Sequence, residues 1–439
     1  LRAYLQQPSV SSTGEGIAGA AEATAELIEE ASGRAEVVPT DGHPAVLGSL
    51  EGAGPRLLRY GMYDVQPAEE ETWDSPPFEA IVRELPGVGP AVVARGAANS
   101  KGTLACLLLA WKSLLQVTDA PASIKLLIDG EEELGSPHLA AVVEAHRARL
   151  EAEAAFDLDL MADRSGVAEV FLGCKGIVWL HLVARGGDWG GPLEGALHSS
   201  TAVAVGSPAW SLLRALDELV AEDESPRLVA LRRPPIPPED QPFIETLSSE
   251  LDASAYCSEH GVQTLKRGLD GRDLIEALLY EPAVSLDGIH AGYPGGGKTI
   301  IPGHAEAEVD FRVPYGCDAD AALQQARDLI AAAAPEVEVT EAGICPAART
   351  SASSRVAKAM IASHDDQGSG TRVWPVAPWW APYHLFERTL DLPFAIGGAG
   401  HCGGAHAANE YASIEGLRAH MHQTAAFLYR YVAGANDVE

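Results

Sequence analysis

Positive charge is scarce in this chain. Its 439 residues include 31 Lys and Arg against 62 Asp and Glu, a formal net charge of −31 at pH 7. That balance lacks the electrostatics that carry binding to nucleic acid or to an anionic bilayer. The carboxylates are scattered rather than blocked, so the excess reads first as a solvated surface. Long apolar runs are missing too: nowhere do 18 apolar residues follow one another, and no membrane-spanning helix is expected. The cysteines (Cys106, Cys174, Cys257, Cys317, Cys345 and Cys402) show no CxxC or paired spacing. They read as reduced, mostly buried thiols of a cytoplasmic protein. The first residues show no basic-then-apolar leader, so no secretory signal is expected.

What is present is an ordinary globular composition, 46% hydrophobic with a mean hydropathy near zero. At this length two domains are expected. A helical entry is expected over residues 5–32 and a short strand over 57–60. Lys101 to Leu115 carries Leu104, Leu107, Leu108, Trp111, Leu114 and Leu115 at the spacing of one buried helix face. Ile124 to Ile128 reads as an apolar strand. Strands alternating with helices imply a mostly parallel sheet with functional loops at the strand carboxyl ends. From about Ile177 the texture changes to a Pro-rich, mixed α+β stretch, and from Arg349 the first pattern returns. An amphipathic helix from Ser413 to about Val432 closes the chain.

Three motif segments fall at the expected strand ends: Tyr60-Gly61-Met62-Tyr63-Asp64-Val65-Gln66, Arg95-Gly96-Ala97-Ala98-Asn99-Ser100-Lys101-Gly102 and Gly130-Glu131-Glu132-Glu133-Leu134-Gly135. Later come Leu160-Met161-Ala162-Asp163-Arg164 and Gly403-Gly404-Ala405-His406-Ala407-Ala408-Asn409-Glu410. In this order they resemble the catalytic core of the M20 metallopeptidases, the carnosinase-like dipeptidases and aminoacylase relatives. The resemblance implies an α/β protein. Its catalytic domain has a mostly parallel sheet (1–176 and 344–439), and a smaller α+β, ferredoxin-like lid and dimerisation domain is inserted at 177–343.

By that resemblance Glu132 is the general base, Glu133, Asp163 and His406 are metal ligands, and Asp64 is the carboxylate that orients a metal-binding histidine. The pattern departs from the family at two positions. Met62 stands where the histidine is expected, and Asn99 where a bridging aspartate is. A thioether and a neutral amide are poor partners for zinc or manganese. The dinuclear site is therefore expected to be degraded, leaving one divalent ion or none.

The inserted domain carries Leu197-His198-Ser199-Ser200, the loop Gly296-Gly297-Lys298-Thr299-Ile300-Ile301-Pro302 and Asp310-Phe311-Arg312. The resemblance implies that His198 polarises a carbonyl, and that Arg312 with Lys298 and Thr299 holds a substrate carboxylate. The aromatic stretch Trp374 to His384 reads equally as a pocket wall or as core. The expected protein is a homodimeric enzyme of M20 type acting on an amide or acyl bond of a small peptide-like or amino-acid-derived substrate. It is expected to be repurposed with little or no metal, for cyclisation, condensation or acyl transfer in a biosynthetic pathway. The alternatives are a metal-dependent dipeptidase or N-acyl-amino-acid hydrolase, and a non-catalytic binding homologue.

Overall fold

Ile124, Leu126, Leu127 and Ile128 are all essentially excluded from solvent, as suits a strand buried on both faces. In the computed structural model, which describes residues 1–68, 72–119, 121–163, 166–293, 295, 297–365, 368 and 370–434, they form the Ser123–Asp129 strand. It lies in an eight-stranded sheet whose spatial order is Arg34–Val38, Ala45–Leu50, Ser123–Asp129, Arg56–Met62, Ala154–Leu158, Phe394–Gly398, Ala168–Phe171 and Thr371–Trp374. The four central strands, from Ser123–Asp129 to Phe394–Gly398, run parallel. The strands at 34–38 and 45–50 pair antiparallel on one side. The fold class is thus the mixed α/β architecture expected.

The Lys101–Leu114 helix is buried along most of its length and packs on the closing helix, Ile414–Ala433. Ser413 caps that last helix by accepting from the Gly416 amide at 2.9 Å, a stop-and-start signal visible in the sequence. Its Phe427 ring sits 5.1 Å from Phe156 of the central sheet. The expected continuous helix over 5–32 is instead two, Arg2–Gln6 and Ile17–Glu30. Pro8 lacks an amide donor, and Gly14 and Gly16 take φ of 75° and 73°, so the segment between cannot stay helical. It runs along the 63–65 loop, where the Val65 amide donates to Ser9 O at 2.9 Å.

A second compact unit comprises Cys174–Ala348 with Val376–Ala381; the first takes Leu1–Gly173, Arg349–Pro375 and Pro382–Glu439. Residues 376–381 join the smaller unit because Cys174 bridges to Ala377 and Cys345 Sγ contacts the Ala381 carbonyl at 3.4 Å. The smaller unit is a four-stranded antiparallel sheet ordered Ala283–Ala291, His304–Val313, Gly176–Arg185, Val337–Cys345. Helices Pro208–Leu219 and Ala319–Ala333 pack on one face through Leu212, Ala215, Leu219, Ala322, Ala326 and Ile330. In chain order this is the βαββαβ ferredoxin-like arrangement.

All six cysteines are thiols rather than disulfides, three buried and three half-buried, fewer buried than expected. Among the described residues no helix is long and apolar enough to cross a membrane. Of the aromatic stretch, Trp374 stacks on Phe171 at 6.0 Å and Tyr383 is 4% exposed, so both are core.

His364 is fully buried on the Arg355–Asp365 helix, and among the described residues neither ring nitrogen has a hydrogen-bond partner. Burial lowers its pKa from 6.5 to about 4. A group depressed in the folded state is neutral there while the unfolded chain protonates, so stability falls as pH drops below 6.5. At pH 5 the cost is about 2 kcal/mol. His364→Leu is expected to abolish that loss between pH 7.5 and 5, measured by urea unfolding. An unchanged pH dependence in the variant would refute the assignment.

Candidate functional site

The parallel pair Arg56–Met62 and Ser123–Asp129 ends in register, Met62 beside Asp129, and the chain turns there into the motif loops. Crevices at the carboxyl ends of parallel strands are where α/β sheets place their sites. Gly130 is required at this turn: a Cβ there would lie 2.3 Å from Tyr63 Oη and 2.6 Å from the Pro44 carbonyl. The three glutamates then part company. Glu131 is a structural anchor, bonded to His138 Nδ1 at 2.7 Å and to the His43 amide at 3.0 Å. Glu132 and Glu133 follow on a short 3-10 turn, Glu132–Leu134.

Asp64 shapes that turn. It is fully buried and accepts from the amides of both Glu132 (3.2 Å) and Glu133 (3.0 Å). With Met62 two positions before it, itself only 6% exposed, the carboxylate that would orient a histidine holds the glutamate turn. Burial, then the charge of Asp129, pushes its pKa up to about 7. Glu132 is raised well above the ordinary carboxylate range, by desolvation first and then by Glu133, Asp64 and Asp129.

Asn99, Glu133 and His406 come together from three segments. Asn99 Nδ2 donates to Glu133 Oε1 at 2.9 Å and lies 3.0 Å from His406 Nε2. His406 Nε2 is also 3.2 Å from Glu133 Oε1. The neutral ring with its hydrogen on Nδ1 accepts from Asn99; the protonated ring donates to Glu133. Hydrogen bonding to Glu133 raises the His406 pKa. Gln66 Nε2 donates to the other oxygen, Glu133 Oε2, at 2.8 Å, so this carboxylate is held from three sides.

Glu410 fixes the frame. It is 1% exposed; its Oε1 accepts from the Ala98 and Asn99 amides at 2.9 and 3.0 Å, and its Oε2 takes Arg95 Nη1 at 2.7 Å. Arg95 also donates to the His406 carbonyl at 3.3 Å, and Gly404, with φ of 70°, allows the loop to turn back. Beneath lies a buried polar network. Arg59, 2% exposed, is bonded to Asp157 and to the Leu158 carbonyl (3.0 Å), with Asp159 at 3.8 Å. Tyr383 Oη donates to Asp157 at 2.6 Å and Thr103 Oγ1 to Asp159 at 2.9 Å.

Asp163 is engaged elsewhere. Its Oδ2 is 3.5 Å from Arg372 Nη1, which also binds Glu169 at 3.2 Å, and its Oδ1 caps the Val167 amide. Arg164 of that motif lies outside the described residues. The donor set therefore does not fit a pair of divalent ions. The place of the bridging carboxylate is an amide whose N–H groups already satisfy Glu133 and His406, one expected donor is a thioether, and another is paired with an arginine. Among the described residues no group of three or more His, Cys, Asp and Glu is arranged to hold a metal ion.

In the smaller unit, two sequence-predicted segments meet: Leu197–His198 pairs with Ile300–Ile301, and the Ser199 amide donates to the Thr299 carbonyl at 2.8 Å. His198 is exposed, with Nδ1 2.9 Å from Ser200 Oγ and Nε2 3.4 Å from Thr299 Oγ1. Lys298 Nζ stands 3.9 Å above the Tyr293 ring; Gly296 lies outside the described residues. Arg312 sits on the His304–Val313 strand with its Nε 3.0 Å from Asp310.

Sequence reasoning assigned no role to Gln66, Arg95, Glu410, Arg372 or Arg59. Gln66, Arg95 and Glu410 stand inside the motif strings, and a Glu closing a Gly-rich loop opposite a buried Arg was the available signal. Arg372 had none.

The comparisons agree with this architecture. Residues 59–433 match the family described as peptidase family M20/M25/M40. An M20 family metallo-carboxypeptidase from Sulfolobus solfataricus superposes with a TM-score of 0.90 at 30% identity, covering 98% of both chains. The human Beta-Ala-His dipeptidase is 25% identical over 290 residues, 62% of this chain and 53% of its own length. A cysteinylglycine-S-conjugate dipeptidase of Corynebacterium striatum is 26% identical over 319 residues, 69% of this chain and 65% of its own. The matches thus span about half to two thirds of these curated relatives. With a match running from Arg59 to Ala433 and near-complete structural overlap, the chain belongs to peptidase family M20/M25/M40.

Proposed function

We propose that this protein cleaves the amide bond of a small, carboxylate-bearing, peptide-like or amino-acid-derived substrate, at a site that holds one divalent ion at most, zinc or manganese, or none. The observation that carries the metal-light reading is the Asn99 amide lodged between Glu133 and His406. The family and its dipeptidase and carboxypeptidase members support hydrolysis as the direction. Water adds across the carbonyl carbon and nitrogen: Glu132 takes its proton as the new C–O bond forms and delivers it to the nitrogen as the C–N bond breaks. Asp64 holds the Glu132 turn, and any ion present rests on Glu133 and His406. To His198 we assign polarisation of the carbonyl, and to Arg312, Lys298 and Thr299 the substrate carboxylate. A homodimer in the cytoplasm completes the proposal.

The same donor arrangement favours one second reading. Acid–base groups without a metal-activated water suit bond formation, such as cyclisation or acyl transfer, in a biosynthetic step. A panel of dipeptides and N-acyl amino acids, assayed with and without chelator, separates the two. Cleavage abolished by chelator and restored by zinc supports a mononuclear hydrolase. Turnover that resists chelators, without net hydrolysis, supports the second reading.

Metal content checks the common premise. The purified protein is expected to carry one equivalent or less per chain by elemental analysis, and two equivalents would sink the premise. Restoring the charged donors in Met62→His/Asn99→Asp is expected to tighten zinc binding at least about ten-fold, on the order of 1.4 kcal/mol.

A further inference from the structure

In a chain with twice as many carboxylates as cations, one surface cavity of about 360 Å³ is lined by Arg34, Arg56, Lys125 and Arg149, against two carboxylates, Glu36 and Glu151. The register explains the gathering. Arg34 pairs with Ser49 across the sheet edge, and Ser49 with Lys125 on the next strand, so the three side chains stand in one row on one face. Arg56 opens the neighbouring strand, and Arg149 reaches in from the Arg147–Arg149 turn. The strands that begin here, Arg56–Met62 and Ser123–Asp129, end at Met62 and Asp129. The groove and the candidate site thus occupy opposite ends of the same two strands, roughly 20 Å apart at strand rise.

Three of the four cations have a weak local partner. Arg149 meets Glu36 at 3.0 Å, Arg56 meets Glu151 at 3.6 Å and Lys125 meets Glu51 at 3.4 Å. These carboxylates are 60–67% exposed, where an ion pair contributes little and is readily exchanged for another anion. Guanidinium forks match phosphate oxygens in pairs. The volume exceeds that of a lone oxyanion and falls in the range of small-molecule sites.

We propose that this groove binds a small phosphate-bearing molecule, independently of the reaction at the strand carboxyl ends. Calorimetric titration of the full chain with inorganic pyrophosphate, at fixed ionic strength, should give saturable binding with a single site. Arg34→Ala/Lys125→Ala should weaken it at least about ten-fold, while Arg185→Ala, an exposed arginine of the smaller unit, should leave it unchanged. If the double variant proves misfolded by near-ultraviolet circular dichroism, Arg149→Ala on the turn makes the same test. No saturation by about 10 mM pyrophosphate, or equal binding to parent and variants, would overturn the proposal. Citrate binding as tightly as pyrophosphate would overturn the assignment to phosphate.

Discussion

Glu132→Gln is expected to lower kcat/KM for amide hydrolysis by about 10²- to 10⁴-fold, the range that proton transfer by a positioned side chain supplies. The amide keeps the shape and the turn, since Asp64 binds the backbone of residue 132 and not its side chain. The loss should therefore fall on kcat more than on KM. The substitution should also stabilise the protein at neutral pH. Desolvation and the charges of Glu133, Asp64 and Asp129 raise the Glu132 pKa, so above the ordinary carboxylate pKa the folded state retains a proton that the unfolded chain has released. Stability then falls with rising pH, and glutamine removes that dependence. The gain should vanish toward pH 4, where folded and unfolded carboxyls are both protonated. Turnover within a factor of about three of the parent would remove Glu132 from the chemistry. A catalytic loss with a simultaneous gain in stability separates a functional carboxylate from a structural one.

Arg59→Met is expected to destabilise the protein by about 3–5 kcal/mol, because it leaves the buried Asp157 and the half-buried Asp159 without their cation. Arg59 is 2% exposed and Asp157 only 7% at the side chain, so water cannot take over the lost interactions. Burial and the neighbouring Asp157 already raise Asp159 to about 7, with Arg59 opposing them. Removing the arginine strengthens that push, and the pair will take up protons at neutral pH. Thermal unfolding should show a fall on the order of 10 °C, largest at alkaline pH, where the carboxylates must stay charged. Arg185→Met, at an arginine 62% exposed, should change stability by less than about 0.5 kcal/mol. A comparable shift in both variants would show that the Arg59 network contributes nothing special.

The fold was readable because apolar runs at 124–128 and the periodicity of 101–115 leave little choice of element, and both segments form where expected. Leu115 is the exception: it caps the helix and is 43% exposed, since a helix end leaves the buried stripe. The entry over 5–32 misled because helical composition on either side hid what Pro8, Gly14 and Gly16 do to the backbone. At the site, the meeting of Asn99, Glu133 and His406 was anticipated from motif order, while their roles rest on the proposal above. The partners of those residues were less legible. Nothing local marks Arg372 as the arginine facing Asp163, because the two are brought close only by strand pairing between Thr371–Trp374 and Ala168–Phe171. Asp64 shows a different limit. Its motif position suggests a histidine partner, yet a carboxylate finds whatever donors the fold presents, and here those include two backbone amides and the Ser11 side chain.

The grip of Glu410 on the Ala98 and Asn99 amides joins positions separated by 312 and 311 residues in the chain. A contact of such sequence separation carries the loop-closure entropy of more than two thirds of the sequence, which the contacts made in between must offset first. A ribosome-bound chain that has not yet released residues 406–410 lacks the carboxylate that clamps the Asn99 loop, as well as His406. The nascent chain can gather its earlier strands and still hold the Ala98 and Asn99 amides without their Glu410 acceptor, so the Asn99 loop is fixed only once that later segment has emerged.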